Sequence, residues 1–232
     1  MRSIVRASGR FHSHEGWLNA CWHFSFGDYY DRSNMGWGAL RVFNDDRIAV
    51  GGKFELHPHA NYEIITVMLE GELEHTDSAG HWGILSANGV QAMSAASGVF
   101  HSEGNAGKKE THSLQIWIEP AKKGGTPTWD SHSFKPSDFE NKLCALVSGI
   151  EKQKAPLHIC QSAAVYRARP GPGKSIPHSF LGSHAFVYVV SGTLKIGSDT
   201  LGTADSMKIK NEKKMDFETG ADGADFVLIE LP

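Results

Sequence analysis

Short runs of alternating apolar and polar residues recur along the whole chain, and they constrain the fold more than any other feature. The runs are rich in β-branched and aromatic residues, and turns that contain glycine separate them. The clearest runs are residues 62–69, 113–118, 185–190 and 225–231. Alternation with a period of two indicates strands with one buried face, and many short strands are typical of β-sandwiches and β-barrels. The sequence therefore predicts an all-β protein with few short helices. Residues 136–142 and 142–150 are each candidates for a short helix or a turn.

An internal echo indicates two copies of one architecture. A strand, a glycine turn and an alternating strand follow one another in VMLEGELEHTD and again in YVVSGTLKIGSD. Gly71 then aligns with Gly192 at an offset of 121 residues. The polar, turn-rich segment 120–136 is interpreted as the connection between the copies. We therefore predict an N-terminal domain in residues 1–125 and a C-terminal domain in residues 126–232, each large enough to bury a core.

Charge and composition exclude several classes of function. The net charge is −3 and both signs are mixed along the chain, so the basic field that drives phosphate-backbone binding is missing and we expect no direct DNA binding. Cys21, Cys144 and Cys160 include no C-x-x-C pair, which argues against a disulfide framework or a thiolate zinc site. No stretch approaches the ~20 apolar residues of a membrane span, and we expect a soluble protein in the reducing cytoplasm.

Two pairs of potential metal ligands share the same spacing. His57 and His59 flank Pro58 at the start of a strand-like run, and His101 and Glu103 repeat the spacing in GVFHSEGN. Because side chains alternate between the faces of a strand, the members of each pair point to the same side. If the two strands face each other, three imidazoles and one carboxylate converge. This set suits Fe(II), Cu(II), Ni(II), Co(II) or Mn(II), with open positions for a substrate or dioxygen.

The remaining histidines and Glu63 have a weaker case. An isolated H-x-H is most often a pair of surface residues, so we expect His12 and His14 to be solvent-exposed or at a pocket rim. Glu63 has the same strand parity as His57 and His59, and it is open as a ligand, as an orienter of an imidazole or as a solvated residue. Hydrogen-bonded or surface positions are expected for His23, His75, His81, His112, His132 and His158.

These motifs carry a family resemblance. The residues that resemble the two motifs of the cupin superfamily are Gly51, His57, His59, Glu63, Gly71, Gly98, His101 and Asn105. Similarity to the pirin family is carried by HPHANYEIITVMLEGELEHTDSAG, by VQAMSAASGVFHSEGN and by GWLNACWHFSFGDYYDRSNMGWGALRVFNDDRIAVGG. Within that family the chain resembles the bacterial pirin-like proteins described as quercetin 2,3-dioxygenases. The resemblance is dense from residue 16 to residue 120 and extends to the end of the chain.

The resemblance implies a bicupin, in which two jelly-roll-like β-barrel domains pack together and the N-terminal domain holds the metal. The ligand positions of pirins match His57, His59, His101 and Glu103 here, whereas the glutamate that other cupins use matches Glu63. The resemblance therefore favours Glu103 as the carboxylate ligand. It implies one divalent transition metal, Fe(II) in preference to Cu, Ni, Co, Mn or Zn.

The internal echo independently predicts that the C-terminal domain lacks this site. Applied without gaps, the offset replaces most of the predicted ligands. It pairs His57 with His178, His59 with Phe180, His101 with Asp222 and Glu103 with Ala224. The resemblance to pirins implies the same metal-free C-terminal domain.

The activity implied by the resemblance is the cleavage of a flavonol such as quercetin by dioxygen, with release of carbon monoxide. In that reaction Glu103 is the expected catalytic base for the flavonol hydroxyl. Trp17, Phe24 and Phe26 are candidates for the cavity wall and equally for the core. The alternatives are a non-catalytic metal-binding regulator with a protein partner, of the pirin coregulator type, and a metal-free cupin that binds a sugar or another small ligand. The chain is expected to be a monomer.

Overall fold

The computed structural model describes all 232 residues, and almost all of its regular structure is β-strand. Two short 3₁₀ helices lie at Ala7–Gly9 and Pro136–Phe139. The strands are β1 (Arg2–Val5), β2 (Phe11–His14), β3 (Leu18–Trp22), β4 (Leu40–Ile48), β5 (Lys53–His59), β6 (Glu63–Glu70), β7 (Glu72–Asp77), β8 (Trp82–Ser86), β9 (Gly89–Ser94), β10 (Val99–Gly104), β11 (Thr111–Ile118), β12 (Thr128–Ser133), β13 (Cys144–Ser148), β14 (Leu157–His158), β15 (Ala164–Ala168), β16 (Ser175–Ser179), β17 (His184–Ile196), β18 (Asp199–Leu201), β19 (Ser206–Lys210) and β20 (Lys214–Leu231). The predicted all-β class is confirmed. Neither helix has the length and apolar character that crossing a membrane requires.

The chain divides into two compact units. The N-terminal unit comprises Phe11–Phe134 and Leu157–Gln161, and the C-terminal unit comprises Met1–Arg10, Lys135–Pro156 and Ser162–Pro232. The first ten residues thus belong to the C-terminal unit, and the short segment Leu157–Gln161 belongs to the N-terminal unit. The limits given above for two domains stay a prediction.

Two antiparallel sheets form the N-terminal unit. The larger has the strand order β12-β9-β6-β11-β4-β3-β2, and the smaller has the order β5-β10-β7-β8. Apolar side chains from both sheets, among them Trp22 and Met68 of the larger and Leu73 and Leu85 of the smaller, pack into one buried cluster. The core therefore lies between the sheets, where burial of these side chains drives their association.

One sheet dominates the C-terminal unit. Its strands follow the order β1-β19-β17-β20-β15-β13, while β16 pairs with β20 and β18 pairs with β17. The long strands β17 and β20 pair with each other through two register shifts, so each bends and reaches several partners. Their inward faces bury a cluster that includes Val187, Phe217 and Phe226.

The two echoed glycines occupy matching positions. Gly71 joins β6 to β7, with φ of 75°, and Gly192 lies within β17, with φ of 81°. A Cβ on Gly71 would meet the carbonyl oxygen of Glu110 at 2.6 Å, and a Cβ on Gly192 would meet the carbonyl oxygen of Gly223 more closely still. The echo therefore reflects a tight backbone crossing that only glycine fits in either copy.

Two sequence interpretations are corrected. The segment 120–136, interpreted as a connection, contains β12, which pairs with β9 along its full length. The segment 142–150, a candidate for a short helix or turn, instead contains strand β13, which pairs with β15. In both cases pairing with a strand that is distant in sequence decides the local structure, and short segments carry little evidence of such pairing.

The crossing at Gly71 gives a stability prediction. Gly71→Ala should lower the free energy of unfolding by about 3 kcal/mol or more, because left-handed strain adds to a backbone clash. Gly51 is a matched control, since it has the same φ of 75° and no atom within 4 Å of an added Cβ. Gly51→Ala should cost only about 1 kcal/mol. Urea denaturation measures both, and equal losses would contradict the role of the close approach.

Candidate metal centre

Three histidines converge where β5 pairs with β10. His57 lies directly opposite His101 in the antiparallel register, and His59 follows two residues later on the same face. Their ring centroids are 4.5 to 4.8 Å apart. The Nε2 atoms of His57 and His101 are separated by 3.1 Å, and one ring nitrogen from each histidine lies within 4.8 Å of the others. Pro58 has no backbone N–H to donate to a neighbouring strand, and the sheet tolerates it because β5 is an edge strand.

Hydrogen bonding leaves nitrogen lone pairs directed at this cluster. Nδ1 of His57 lies 2.7 Å from the carbonyl oxygen of Glu55 and can only donate to it, so Nε2 carries the lone pair. Nε2 of His59 is buried and has no hydrogen-bond partner. Buried nitrogens without partners are rare unless water or an ion completes them. The donor set therefore fits a transition metal of the kind that imidazole binds.

Burial and neighbouring charges favour the neutral forms of His59 and His101. Burial, followed by the neighbouring charges of His101 and His57, lowers the pKa of His59 to about 3. Burial also lowers the pKa of His101 to about 4, against the opposing charge of Glu103. Neutral imidazole is the metal-binding form, so protons compete little for these two nitrogens at neutral pH.

Glu103 is buried on β10, beyond a register shift that follows His101. Its Oε1 accepts a hydrogen bond from the Gln91 amide and lies 3.4 Å from the Thr66 hydroxyl, and its Oε2 accepts from Gln115 at 2.9 Å. These donors hold the carboxylate in place on the side of the cavity where the larger sheet lies.

The charge state of Glu103 is also fixed. Burial acts to raise its pKa, but His75, the charge of His101 and the Gln91 amide together lower the pKa to about 2. Glu103 is therefore an ionised carboxylate. One atom each of His75, His101 and Glu103 lies within 4.8 Å of the others, so Glu103 shares His101 with the histidine cluster. The full set of four ligands stays a prediction.

His75 has a hydrogen-bonded position, as predicted, but the sequence reasoning did not place it near the centre. It is fully buried, its Nδ1 lies 3.9 Å from Oε1 of Glu103, and its Nε2 lies 3.3 Å from the Asp77 carboxylate. The ring stacks on Trp129, with centroids 5.1 Å apart. A signal was present: His75 and Asp77 stand two residues apart on β7, so they share a face, as do the two ligand pairs.

Glu63 lies outside both clusters. It is buried rather than solvated, its Oε1 accepts a hydrogen bond from Ser94 at 3.0 Å, and burial raises its pKa. Its other electrostatic neighbours are the Cys160 backbone and His158. The solvated alternative for Glu63 is therefore wrong, and its contacts are not with the converging imidazoles.

The other histidines have varied surroundings outside the three-histidine cluster. His81 bonds to Asp77 at 2.8 Å and His112 bonds to Asp45 at 2.6 Å, whereas His132 is exposed. In the C-terminal unit, His178 donates to Glu230 at 3.1 Å. The metal-free state of that unit stays a prediction.

A cavity of about 330 Å³ opens onto the histidine cluster, within the size range of small-molecule sites. Aromatic side chains form much of its wall: Trp17, Trp22, Phe26, Phe54 and Trp117. Trp17 and Phe26 thus take the cavity role considered for them, whereas Phe24 is buried and does not line the cavity. The polar side chains of the wall include Asn44, Asp46 and Gln115.

This combination of an all-β fold and a histidine centre beside an aromatic cavity defines a cupin. Residues 4–118 match the family model described as Pirin, and residues 146–231 match the model described as Quercetinase C-terminal cupin domain. The predicted two-domain cupin fold is confirmed.

Known proteins resemble the chain over nearly its whole length. A pirin-like protein of Caulobacter vibrioides is 40% identical over 217 residues, 93% of each chain. A quercetin 2,3-dioxygenase of Escherichia coli K12 is 35% identical over 232 residues, 99% of this chain and 98% of the relative. The crystal structure of the bacterial pirin YhhW from Escherichia coli in complex with nickel(II) has a TM-score of 0.92 at 32% identity, covering 100% of this chain and 99% of that one. The chain belongs to the pirin family.

The lowered pKa values predict how the metal-free protein responds to acid. His59 and His101 bind protons more readily when unfolded, near pH 6.5, than when folded, near pH 3 and 4. Unfolding therefore takes up protons below pH 6.5, and each group lowers the free energy of unfolding as pH falls from about 6.5 to about 4. Because His59 is partly solvated, we expect less than the limit of about 1.4 kcal/mol per pH unit.

The measurement is urea denaturation in chelator at pH 7, 6 and 5. His59→Gln should show a shallower dependence on pH than the parent, while His132→Gln, at an exposed position, should match the parent. Parallel curves for the parent and His59→Gln would contradict the depressed pKa of His59.

Proposed function

We propose that the protein is a metal-dependent dioxygenase that opens the heterocyclic ring of a flavonol such as quercetin and releases carbon monoxide. The observation that carries the proposal is the convergence of three histidines at the wall of an aromatic cavity. The relation to a quercetin 2,3-dioxygenase along 99% of the chain supports the choice of substrate and of dioxygen.

The proposed metal ligands are His57, His59, His101 and Glu103. The unpartnered Nε2 of His59 and the ionised Glu103 fit a divalent transition metal. Fe(II) is the sequence-based preference, and the nickel(II) complex of YhhW adds nickel as a candidate. When bound, such a metal supplies a Lewis acid that lowers the pKa of a coordinated hydroxyl.

The chain itself supplies binding and orientation. The walls formed by Trp17, Trp22 and Trp117 offer flat apolar faces for a fused aromatic ring system and exclude water from it. Gln91 and Gln115 fix the Glu103 carboxylate. This arrangement orients an aromatic ligand before any bond changes, which is the contribution that proximity makes to catalysis.

Glu103 also has a predicted role as the catalytic base. A pKa of about 2 suits a metal ligand better than a base, since proton transfer is most efficient when the pKa of the base is near the working pH. The role of Glu103 as a ligand therefore has the stronger support, and its role as a base stays a prediction.

A non-catalytic regulator is the second candidate, and one observation favours it. The outer face of the smaller sheet exposes Leu56, Trp82, Ile84 and Phe100, which are 49% to 64% exposed. Exposed apolar side chains that share one face are typical of surfaces that contact other proteins. A monomeric state, a cytoplasmic location and the absence of direct DNA binding stay predictions.

Metal analysis tests the ligand set. Protein reconstituted with Fe(II) or Ni(II) and then desalted should retain one metal per chain, and His59→Ala should bind at least 10-fold more weakly because a coordinating nitrogen is lost. His132→Ala is the matched control and should retain metal. Full retention by His59→Ala would overturn the assignment of His59.

Carbon monoxide release tests the reaction. Protein loaded separately with iron, nickel, manganese, cobalt or copper is incubated aerobically with quercetin, and headspace carbon monoxide is measured. We expect turnover with at least one metal. If no carbon monoxide is released with any of the five metals, the proposed activity is wrong.

Glu103→Gln then separates the roles of the carboxylate. Loss of both metal and turnover identifies a ligand, whereas retained metal with turnover reduced about 100-fold or more identifies a base. Glu63→Gln is a matched control, because Glu63 is also buried but lies outside both clusters. It should keep both metal and turnover.

A further inference from the structure

Strand β4 places two polar side chains in the wall of the ligand cavity. Asn44 and Asp46 are two residues apart, so they share a face of the strand, and both line the cavity. They are only 3% and 5% exposed. Burial of an amide and a carboxyl beside a largely aromatic wall is costly unless both find hydrogen-bond partners.

The side-chain oxygen of Asn44 lacks such a partner within the protein. This oxygen, Oδ1, is buried and accepts no hydrogen bond. Gln115 lies opposite it in the register of β4 and β11, but the Gln115 amide donates to Glu103. An acceptor oriented into a cavity without a donor is a place for a hydroxyl or N–H group of a ligand.

We propose that Asn44 and Asp46 form a hydroxyl-recognition site that selects aromatic ligands carrying ring hydroxyls in addition to the one used in the reaction. One ring hydroxyl donates to Oδ1 of Asn44, and a second exchanges a hydrogen bond with the Asp46 carboxyl. This inference rests on the proposed function, because it takes the ligand to be a hydroxylated aromatic compound.

The charge environment of Asp46 agrees with this recognition. Burial, the charge of Asp45 and the charge of Glu103 raise the pKa of Asp46 well above its usual value. The raised pKa favours the protonated form of the carboxyl, which both donates and accepts and so complements a phenol, which also does both. A site with these two side chains therefore discriminates by hydroxyl count and position rather than by ligand charge.

The test is an anaerobic binding titration of the metal-loaded full-length chain with two flavonols, followed by absorbance. Quercetin carries several ring hydroxyls, and 3-hydroxyflavone carries only the 3-hydroxyl. Asn44→Leu, which keeps side-chain volume, should weaken quercetin binding about 3- to 10-fold and change 3-hydroxyflavone binding less than about 2-fold. Asn44→Ala provides a second variant if Asn44→Leu does not fold.

The Asp46 variants test the protonated form. Asp46→Asn should bind quercetin within about 2-fold of the parent, and Asp46→Leu should weaken it selectively. Asp130→Asn, an exposed position outside the cavity, is the control for a changed net charge. Equal weakening of both flavonols, or a loss in Asp46→Asn as large as in Asp46→Leu, would overturn the proposal.

The outcomes also distinguish this inference from the proposed reaction. Selective loss of quercetin binding without carbon monoxide release by any metal-loaded form would support the recognition site and reject the reaction. Carbon monoxide release by the parent, together with unchanged quercetin affinity in Asn44→Leu, would support the reaction and reject the recognition site.

Discussion

The antiparallel register between β5 and β10 is the constraint on which the centre depends. It places His57 opposite His101, and the alternation of side chains brings His59 to the same face. A slip of β5 by one residue would turn His57 and His59 to the outer face of the sheet and away from His101. The register shift after His101 then sets the direction of Glu103 separately from that of the histidines, so the carboxylate contacts residues of the larger sheet.

Burial lowers the pKa of the candidate imidazole ligands His59 and His101 and acts to raise the pKa of the candidate carboxylate ligand. The neighbouring groups then decide the charge state of each. Removing His59 and His101 from water favours their neutral forms. The same removal disfavours the charge on Glu103, but amide donors and nearby imidazoles outweigh that cost. The site thus presents neutral nitrogens and an ionised oxygen at one pH, which is the combination that a divalent cation needs.

Much of the fold and the centre could be predicted from the sequence, because period-two alternation and the H-x-H and H-x-E pairs are local signals. What the sequence could not show depends on pairing between distant strands. The strand that carries Trp129 looked like a connection, since its polar residues give little sign of pairing with β9. Likewise, nothing local distinguishes Asn44 and Asp46 from surface residues of a strand, and only the two-sheet packing places them at the cavity wall.

The strands that carry the candidate metal ligands also form part of the molecular surface. Along β5 and β10 the inward imidazoles alternate with outward Leu56, Pro58 and Phe100, so exposed apolar groups and candidate ligands are covalent neighbours. The wall between solvent and the metal centre is therefore one polypeptide thick. A protein bound to that outer face and an ion held on the inner face would therefore act on the same peptide planes.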